Sequence, residues 1–436
     1  MPETIVSILN ESLKAADPFV LIPKNISVQE NKLIIAKREI DLSAINKIYL
    51  LAAGKAAAAM TAATENQLGN LLTEGLCITK YQHGLPLRKC QLLEAAHPLP
   101  DSNSVNAGAA ALRLLKKLKE KDLLIFLLSG GASSLMADIP ANCTLEEIQL
   151  VVNLLINSGA TIQEMNTVRK HLSQLKGGQL MKAAYPAWVY SLIISDVPGD
   201  DISAIGSGPA VADNSSFRQA MDIIEKYKLQ HKLPFSVLNH LQKGVAGEIP
   251  ETPKPGDIIF THSFAEIISG NQYALAAAKK AAAAKGYTVI LRNETVTGDT
   301  NEMARLFTAQ LLHYPGGTPV CFLWGGETTL AVTGSGKGGR NQHFVLQALK
   351  SLKQYWKNEK KFTLLSAGTD GTDGPTDAAG AIITSELLNN DWITAKQIDE
   401  YLINFDSYHF FKKVDSLLIT GPTHTNVMDI MIGIVE

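Results

Sequence analysis

Several short segments of the chain place glycine, lysine or a carboxylate directly after an apolar run: Gly54-Lys55, Ser129-Gly130-Gly131, Asp196, Gly325-Gly326-Glu327 and Asp370. In open α/β sheets ligands bind beyond the C-terminal strand ends, so this clustering points to a phosphate site. The turn Ser129-Gly130-Gly131-Ala132-Ser133-Ser134 opens a helix, where free N–H groups favour an anion. The same pattern also serves as a plain strand-to-helix turn with a serine cap. Gly334-Ser335-Gly336-Lys337-Gly338-Gly339-Arg340 is the densest glycine run, able either to wrap a phosphate or to form a hairpin loop. Three carboxylates, Asp370, Asp373 and Asp377, follow another apolar run. Together with Glu327 and Asp196 they offer oxygen ligands of the kind Mg2+ takes, although Asx-turns would use the same residues. Asp196 is also placed to accept a proton from an attacking hydroxyl. His97, before Pro98, reads as a structural donor.

Other chemistries fit less well. Gly334, Gly336 and Gly339 match a dinucleotide fingerprint, but the acid about 20 residues on, Glu359, lies in a polar run and not at a strand end. A phosphate loop of the Walker type needs Ser or Thr after its lysine; Ala56 and Gly338 follow the two Gly-Lys pairs. No Ser-His-Asp signature is legible.

The elements that must position these residues are short apolar strands alternating with helices. Lys47 to Ala53, Leu123 to Leu128 and Tyr190 to Ser195 read as strands in the first half. A Pro- and Lys-rich stretch near 230–260 interrupts the pattern, which then resumes with helices at 271–286 and 301–313 and strands at 287–291, 320–323 and 363–366. Continuous apolar strands between helices imply a parallel sheet covered on both faces. The expectation is two α/β domains, 1–240 and 255–436, with the last segment able to pack back on the first.

Composition narrows the classes. The 436 residues carry a formal net charge of −2, without the basic surplus of a general nucleic-acid binder. Cys77, Cys90, Cys143 and Cys321 have no metal-knuckle or CxxC spacing and fit a reducing compartment. The N-terminus lacks the pattern of a signal peptide, and the apolar run at 123–128 is far too short to span a membrane, so a cytoplasmic protein is expected.

Taken in order, the segments resemble the type II glycerate kinases, the MOFRL family. The matching stretches are AAGK at 52–55, HPLPD at 97–101, LSGGASS at 128–134, NTVRKHLSQLKGG at 166–178 and SDVPGDDISAIGSGP at 195–209. In the second half they are Gly325 to Glu327, GGRNQ at 338–342, SAGTDGTDGPTDAA at 366–379 and TGPTHTN at 420–426. Ala132, Gly206 and His424 depart from the usual pattern.

The resemblance implies a larger Rossmann-like N-terminal domain, a smaller MOFRL-type C-terminal domain, and an active site in the cleft between them. It implies Mg2+ and ATP-dependent phosphorylation of D-glycerate, usually to 2-phosphoglycerate, with a small-molecule partner and neither nucleic acid nor membrane; a homo-oligomer is compatible with it. By similarity Lys55 and Arg340 are the foremost catalytic residues, joined by Asp196. Ser129, Gly130, Gly131, Ser133, Gly325, Gly326, Gly338 and Gly339 are expected at the nucleotide phosphates, and Asp196, Glu327, Asp370 and Asp373 at the metal. A hydroxypyruvate reductase and a non-catalytic phospho-metabolite sensor are the rival readings.

Overall fold

The computed structural model describes residues 2–357 and 360–436, so Glu359 lies outside the described residues. The chain falls into two compact units, one of Pro18–Ile268 and one of Met1–Asp17 with Ser269–Glu436.

The first of these opens with the helix Pro18–Asn25 and a small antiparallel sheet of β1 (Ile26–Gln29), β2 (Lys32–Ile35) and β3 (Arg38–Asp41). Its main sheet contains β4 (Lys47–Ala53), β5 (Leu72–Lys80), β6 (Cys90–Ala95), β7 (Asp122–Ser129), β8 (Trp188–Ile194) and β9 (Ser263–Ser269), in the order β6-β5-β4-β7-β8-β9. The first five run parallel. The strand order reverses between β4 and β7, which makes their C-terminal ends the topological switch point. Both strands are covered on two faces: every residue of β7 and all of β4 after Lys47 are buried. That is why they read as unbroken apolar runs. The helix Ala57–Leu68 after β4 buries Ala57, Ala58, Ala59 and Met60, small side chains for the most part, which let it lie close to the sheet. The helix Ser102–Leu115 begins in a reciprocal cap between Asp101 and Ser104. Asp101 of the HPLPD segment is thus a helix cap.

The second unit has a mixed sheet. Its strands are β10 (Thr288–Leu291), β11 (Val320–Gly326), β12 (Phe362–Gly368), β13 (Gly380–Thr384), β14 (Leu417–Leu418) and β15 (Asp429–Val435), in the order β10-β11-β15-β12-β13-β14. β10 and β11 are parallel, whereas β15 runs antiparallel between β11 and β12. The expected parallel sheet is therefore mixed in this half. The chain's last strand fills the middle of it. All seven residues of β15 are buried, and Phe307, Trp324, Phe344, Phe362 and Phe410 form the core around it.

The unit boundaries differ from those expected at 240–255 and at the N-terminus. The helix Pro2–Lys14 packs on the helix Asn271–Ala284 and on β15 and buries Ile5, Ile8 and Leu9. Thr425 Oγ1 also donates to the Ala16 carbonyl at 2.7 Å. An amphipathic first helix does not announce its partner surface, and its partner lies more than 250 residues away in sequence. No helix of the described residues is long and apolar enough to cross a membrane.

Candidate active site

In the unit Pro18–Ile268 the turns after β4 and β7 interlock. Gly54 has φ +131, and a Cβ there would lie 2.1 Å from Ser129 Oγ and 2.5 Å from the Ser129 carbonyl. Only glycine permits this approach. Lys55 N–H donates to the Gly130 carbonyl at 2.9 Å, and Ala56 N–H donates to Ser129 Oγ at 3.0 Å. Ser129 thus spends its hydroxyl on tying the two turns together. Gly131, at φ +85, faces His97 and the Lys55 stem: a Cβ there would lie 3.1 Å from His97 Nε2 and 3.5 Å from Lys55 Cγ. The sequence-expected Lys55, Ser129, Gly130 and Gly131 are therefore neighbours at the switch point, and His97 joins them. Asp196 stands at the same sheet edge, two residues past Ile194, which pairs with Ser129.

Ser133, just beyond this turn, accepts a hydrogen bond from Arg169 Nη2 at 2.8 Å. Arg169 belongs to the helix Ile162–Lys170 and is not among the residues that sequence singles out. Its signal lies in the NTVRKHLSQLKGG segment, whose three cations sequence alone does not rank.

In the unit of Met1–Asp17 and Ser269–Glu436, the register brings three strand termini together: Gly326 of β11 and Gly368 of β12 each lie opposite Asp429 of β15. Arg340, the first residue of the helix Arg340–Tyr355, grips the fully buried Asp429 through Nε at 2.5 Å and Nη2 at 2.9 Å. Its Nη1 lies 2.9 Å from Glu327 Oε1. Burial works against the guanidinium charge, but Asp429 and Glu327 outweigh it and hold the proton more firmly than usual. Sequence reasoning misses Asp429 because an antiparallel strand presents its start, not its end, at this edge. The only trace in sequence is an aspartate opening an apolar run.

Asp373 has a different surrounding from the one expected of a metal ligand. Its carboxylate accepts the backbone N–H groups of Asn341 at 3.0 Å and Gln342 at 2.8 Å, and the Gln342 side chain at 3.0 Å. It anchors the N-terminus of the Arg340 helix. Burial pushes its carboxyl up to about 6, against the pull of those N–H groups. Asp370 accepts N–H and O–H from Thr372, both at 3.0 Å, as an Asx-turn does. The glycine run also turns its bare faces to protein. A Cβ at Gly336 would lie 2.4 Å from the Asn404 carbonyl, at Gly338 2.2 Å from Ser407 Oγ, and at Gly339 2.3 Å from the Asp373 carboxylate. Gly338 and Gly339 are small so that this loop can seat on residues 404–407 and 373. Lys337 lies over the Tyr408 ring at 4.4 Å. Gly325 packs in the same manner on Asn271, where a Cβ would lie 2.1 Å from Oδ1, and Gly326, at φ +146, packs on Val296.

Among the described residues, no three His, Cys, Asp or Glu side chains converge as a metal cage. Mg2+ in phosphoryl transfer takes one or two carboxylates and completes its shell with phosphate oxygens and water. Asp196, Glu327 and Asp370 at strand ends fit that donor chemistry; Asp373, already committed to the helix, fits it less.

A model of a domain of unknown function, DUF4147, matches residues 4–242, and the MOFRL family model matches residues 320–429. The glycerate 2-kinase of Pyrococcus horikoshii is 37% identical over 98% of this chain and 96% of its own length. The chain belongs to the MOFRL family of glycerate kinases. A solved glycerate kinase of Thermotoga maritima superposes on the chain with a TM-score of 0.82 at 35% identity, covering 100% of this chain and 99% of its own. An Agrobacterium vitis relative named, provisionally, for hydroxypyruvate reduction is 36% identical over 97% of this chain and 92% of its own length. The AAGK and SGG segments of this chain lie in the first of the strand-end clusters described above, and the GGRNQ and GTDGPTD segments in the second.

Proposed function

We propose that this protein transfers the γ-phosphoryl group of Mg2+·ATP to D-glycerate, giving 2-phosphoglycerate. The observation that carries the reading is the interlocked pair of turns at the β4/β7 switch point, with Lys55 beside the glycines, in a chain similar throughout to glycerate kinases. Phosphoryl transfer depends on positioning and charge neutralisation more than on covalent chemistry. Backbone N–H groups of the Ser129–Gly131 turn hold phosphate oxygens, and Lys55 offsets the charge of the phosphoryl group as it moves. The 2-hydroxyl oxygen attacks the γ-phosphorus, the bond to the β-bridging oxygen breaks, and ADP leaves. Asp196 orients the hydroxyl and takes its proton. Arg340, fixed by Asp429 and Glu327, presents a positioned cation. A bound Mg2+ would be held by Glu327 and Asp370 of one unit, or by Asp196 of the other, and would supply charge neutralisation on the nucleotide phosphates.

The test is incubation of the purified protein with D-glycerate, Mg2+ and ATP, with the product identified by NMR. A 2-phosphoglycerate signal abolished by EDTA is expected. Appearance of 3-phosphoglycerate would correct the hydroxyl, and no phosphorylated product would end the reading. Hydroxypyruvate reduction is favoured by the provisional names of two Agrobacterium vitis relatives. Against it, the GxGxxG glycines pack on residues 404–407 and 373, leaving their close approach to protein and not to a dinucleotide. Loss of NADH absorbance with hydroxypyruvate, in the absence of ATP, would reverse the choice.

A further inference from the structure

We propose that Arg169 takes the carboxylate of the acceptor substrate, a small 2-hydroxy acid anion, and that Ser133 steadies the guanidinium for this. The identity of the acceptor rests on the kinase reading above; the carboxylate chemistry rests on the residues around Arg169.

The segment from Asn166 to Gly178 carries three cations, and two are already neutralised. Lys170 Nζ lies 3.2 Å from Asp213 and Lys176 Nζ 3.4 Å from Asp138, all four side chains being at most 10% exposed. Arg169 sits in the same segment, half-buried, with no carboxylate within ion-pair distance among the described residues. Burial alone acts on its guanidinium, pushing it down, with no acidic neighbour to offset the cost. A desolvated cation without a counter-charge is unfavourable unless an anion arrives to pair with it.

Its donors remain available for one. Nη2 donates to Ser133 Oγ at 2.8 Å. Among the described residues Ser133 is its hydrogen-bond partner, through Nη2, and no partner is found at Nε or Nη1. A guanidinium has five N–H donors in a rigid planar fork, a match for a carboxylate. The position is right as well. Ser133 is two residues past Gly131, whose open face meets Lys55 and His97. Arg340, by contrast, already has Asp429 and Glu327 on its guanidinium, so a third carboxylate gains little there. A flexible lysine suits a moving phosphoryl group, while a fixed fork suits a carboxylate that stays in place through the reaction.

Steady-state kinetics of wild type, Arg169→Gln, Arg169→Lys and Ser133→Ala test this, with D-glycerate and ATP varied separately. Loss of a charge-assisted contact should raise KM for D-glycerate about tenfold or more in Arg169→Gln, less in Arg169→Lys and Ser133→Ala, with KM for ATP unchanged. A rise in KM for ATP with that for glycerate unchanged would assign Arg169 to nucleotide phosphate and overturn the proposal. So would unchanged constants for both substrates. Thermal melting with D-lactate, glycerol or inorganic phosphate as probe reads binding without turnover. D-lactate should raise the melting temperature of wild type and not of Arg169→Gln, while glycerol, which lacks the carboxylate, should raise neither. If wild type turns over no glycerate, the kinase reading fails, yet the D-lactate shift still decides the carboxylate site. Absence of that shift in wild type, or its persistence in Arg169→Gln, would sink the proposal. Should Arg169→Gln not fold, Ser133→Ala and Arg169→Lys carry the same comparison.

Discussion

Asp373 commits its carboxylate to the first turn of the helix that begins with Arg340, so its effect on the site is exerted through that helix. Its native carboxyl titrates near 6, above the ordinary value of 3.8, because burial outweighs the N–H groups facing it. A carboxyl raised in the native state binds its proton more tightly there than in the unfolded chain. Its stabilising contribution is therefore full below about pH 4 and is lost as pH rises through about 6, a change of about 3 kcal/mol. Melting temperatures of wild type and Asp373→Asn between pH 4 and 7 should diverge in that sense, wild type losing ground as pH rises; a difference that stays constant would remove the account. Lys55 and Arg340 belong to the same scale. Each contact made in the transition state is worth about 10²-fold or more in turnover, so Lys55→Ala and Arg340→Ala should each lose that much in kcat with folding intact by circular dichroism. Near-normal turnover in both would dismiss the roles given to them. The types of these residues are legible in sequence. Their surroundings are not: Asp373 reads as a metal ligand, and it is the helix N–H groups, brought from more than thirty residues earlier, that claim it.

At the scale of elements, the strand-to-helix turns carry the proposed site. The β4 turn needs Gly54 twice, for its φ of +131 and for the absence of a Cβ against Ser129. Gly54→Ala should destabilise the protein by about 2–3 kcal/mol and depress turnover by separating the two turns. Denaturant unfolding with parallel activity measurements checks both. A mild loss of stability with full activity would mean that the turns need not interlock. The central parallel strands β4 and β7 are readable because burial on both faces writes a continuous apolar run into them. The glycine run at 334–339 shows the converse. Glycine marks close approach but not the partner, and here the partner is the protein's own chain at residues 404–407.

At the scale of the whole molecule, the chain starts in one unit, builds the other, and returns. The helix Pro2–Lys14 covers the helix Asn271–Ala284 and β15 with Ile5, Ile8 and Leu9. Each fully buried aliphatic side chain is worth about 1.5–3 kcal/mol. Removal of residues 1–17 should therefore lower the melting temperature by uncovering the unit that contains β15. Differential scanning calorimetry of the shortened chain checks this, and an unshifted profile would contradict the packing account.

The sequence by itself determined the α/β class, the strands β4, β7 and β8, the glycine turns after β4 and β7 and, through its ordered motifs, the family. These are local properties: an apolar run, a small-residue turn and their order all survive in one dimension. Only the tertiary structure decided the rest. It set β15 antiparallel between β11 and β12, and so brought Asp429 to Arg340. It turned Asp373 and the GSGKGG loop toward the protein's own backbone, and left Arg169 as the cation of its segment without a carboxylate beside it among the described residues. Strand direction and charge pairing depend on which distant residues arrive at a position, and spacing along the chain does not encode that.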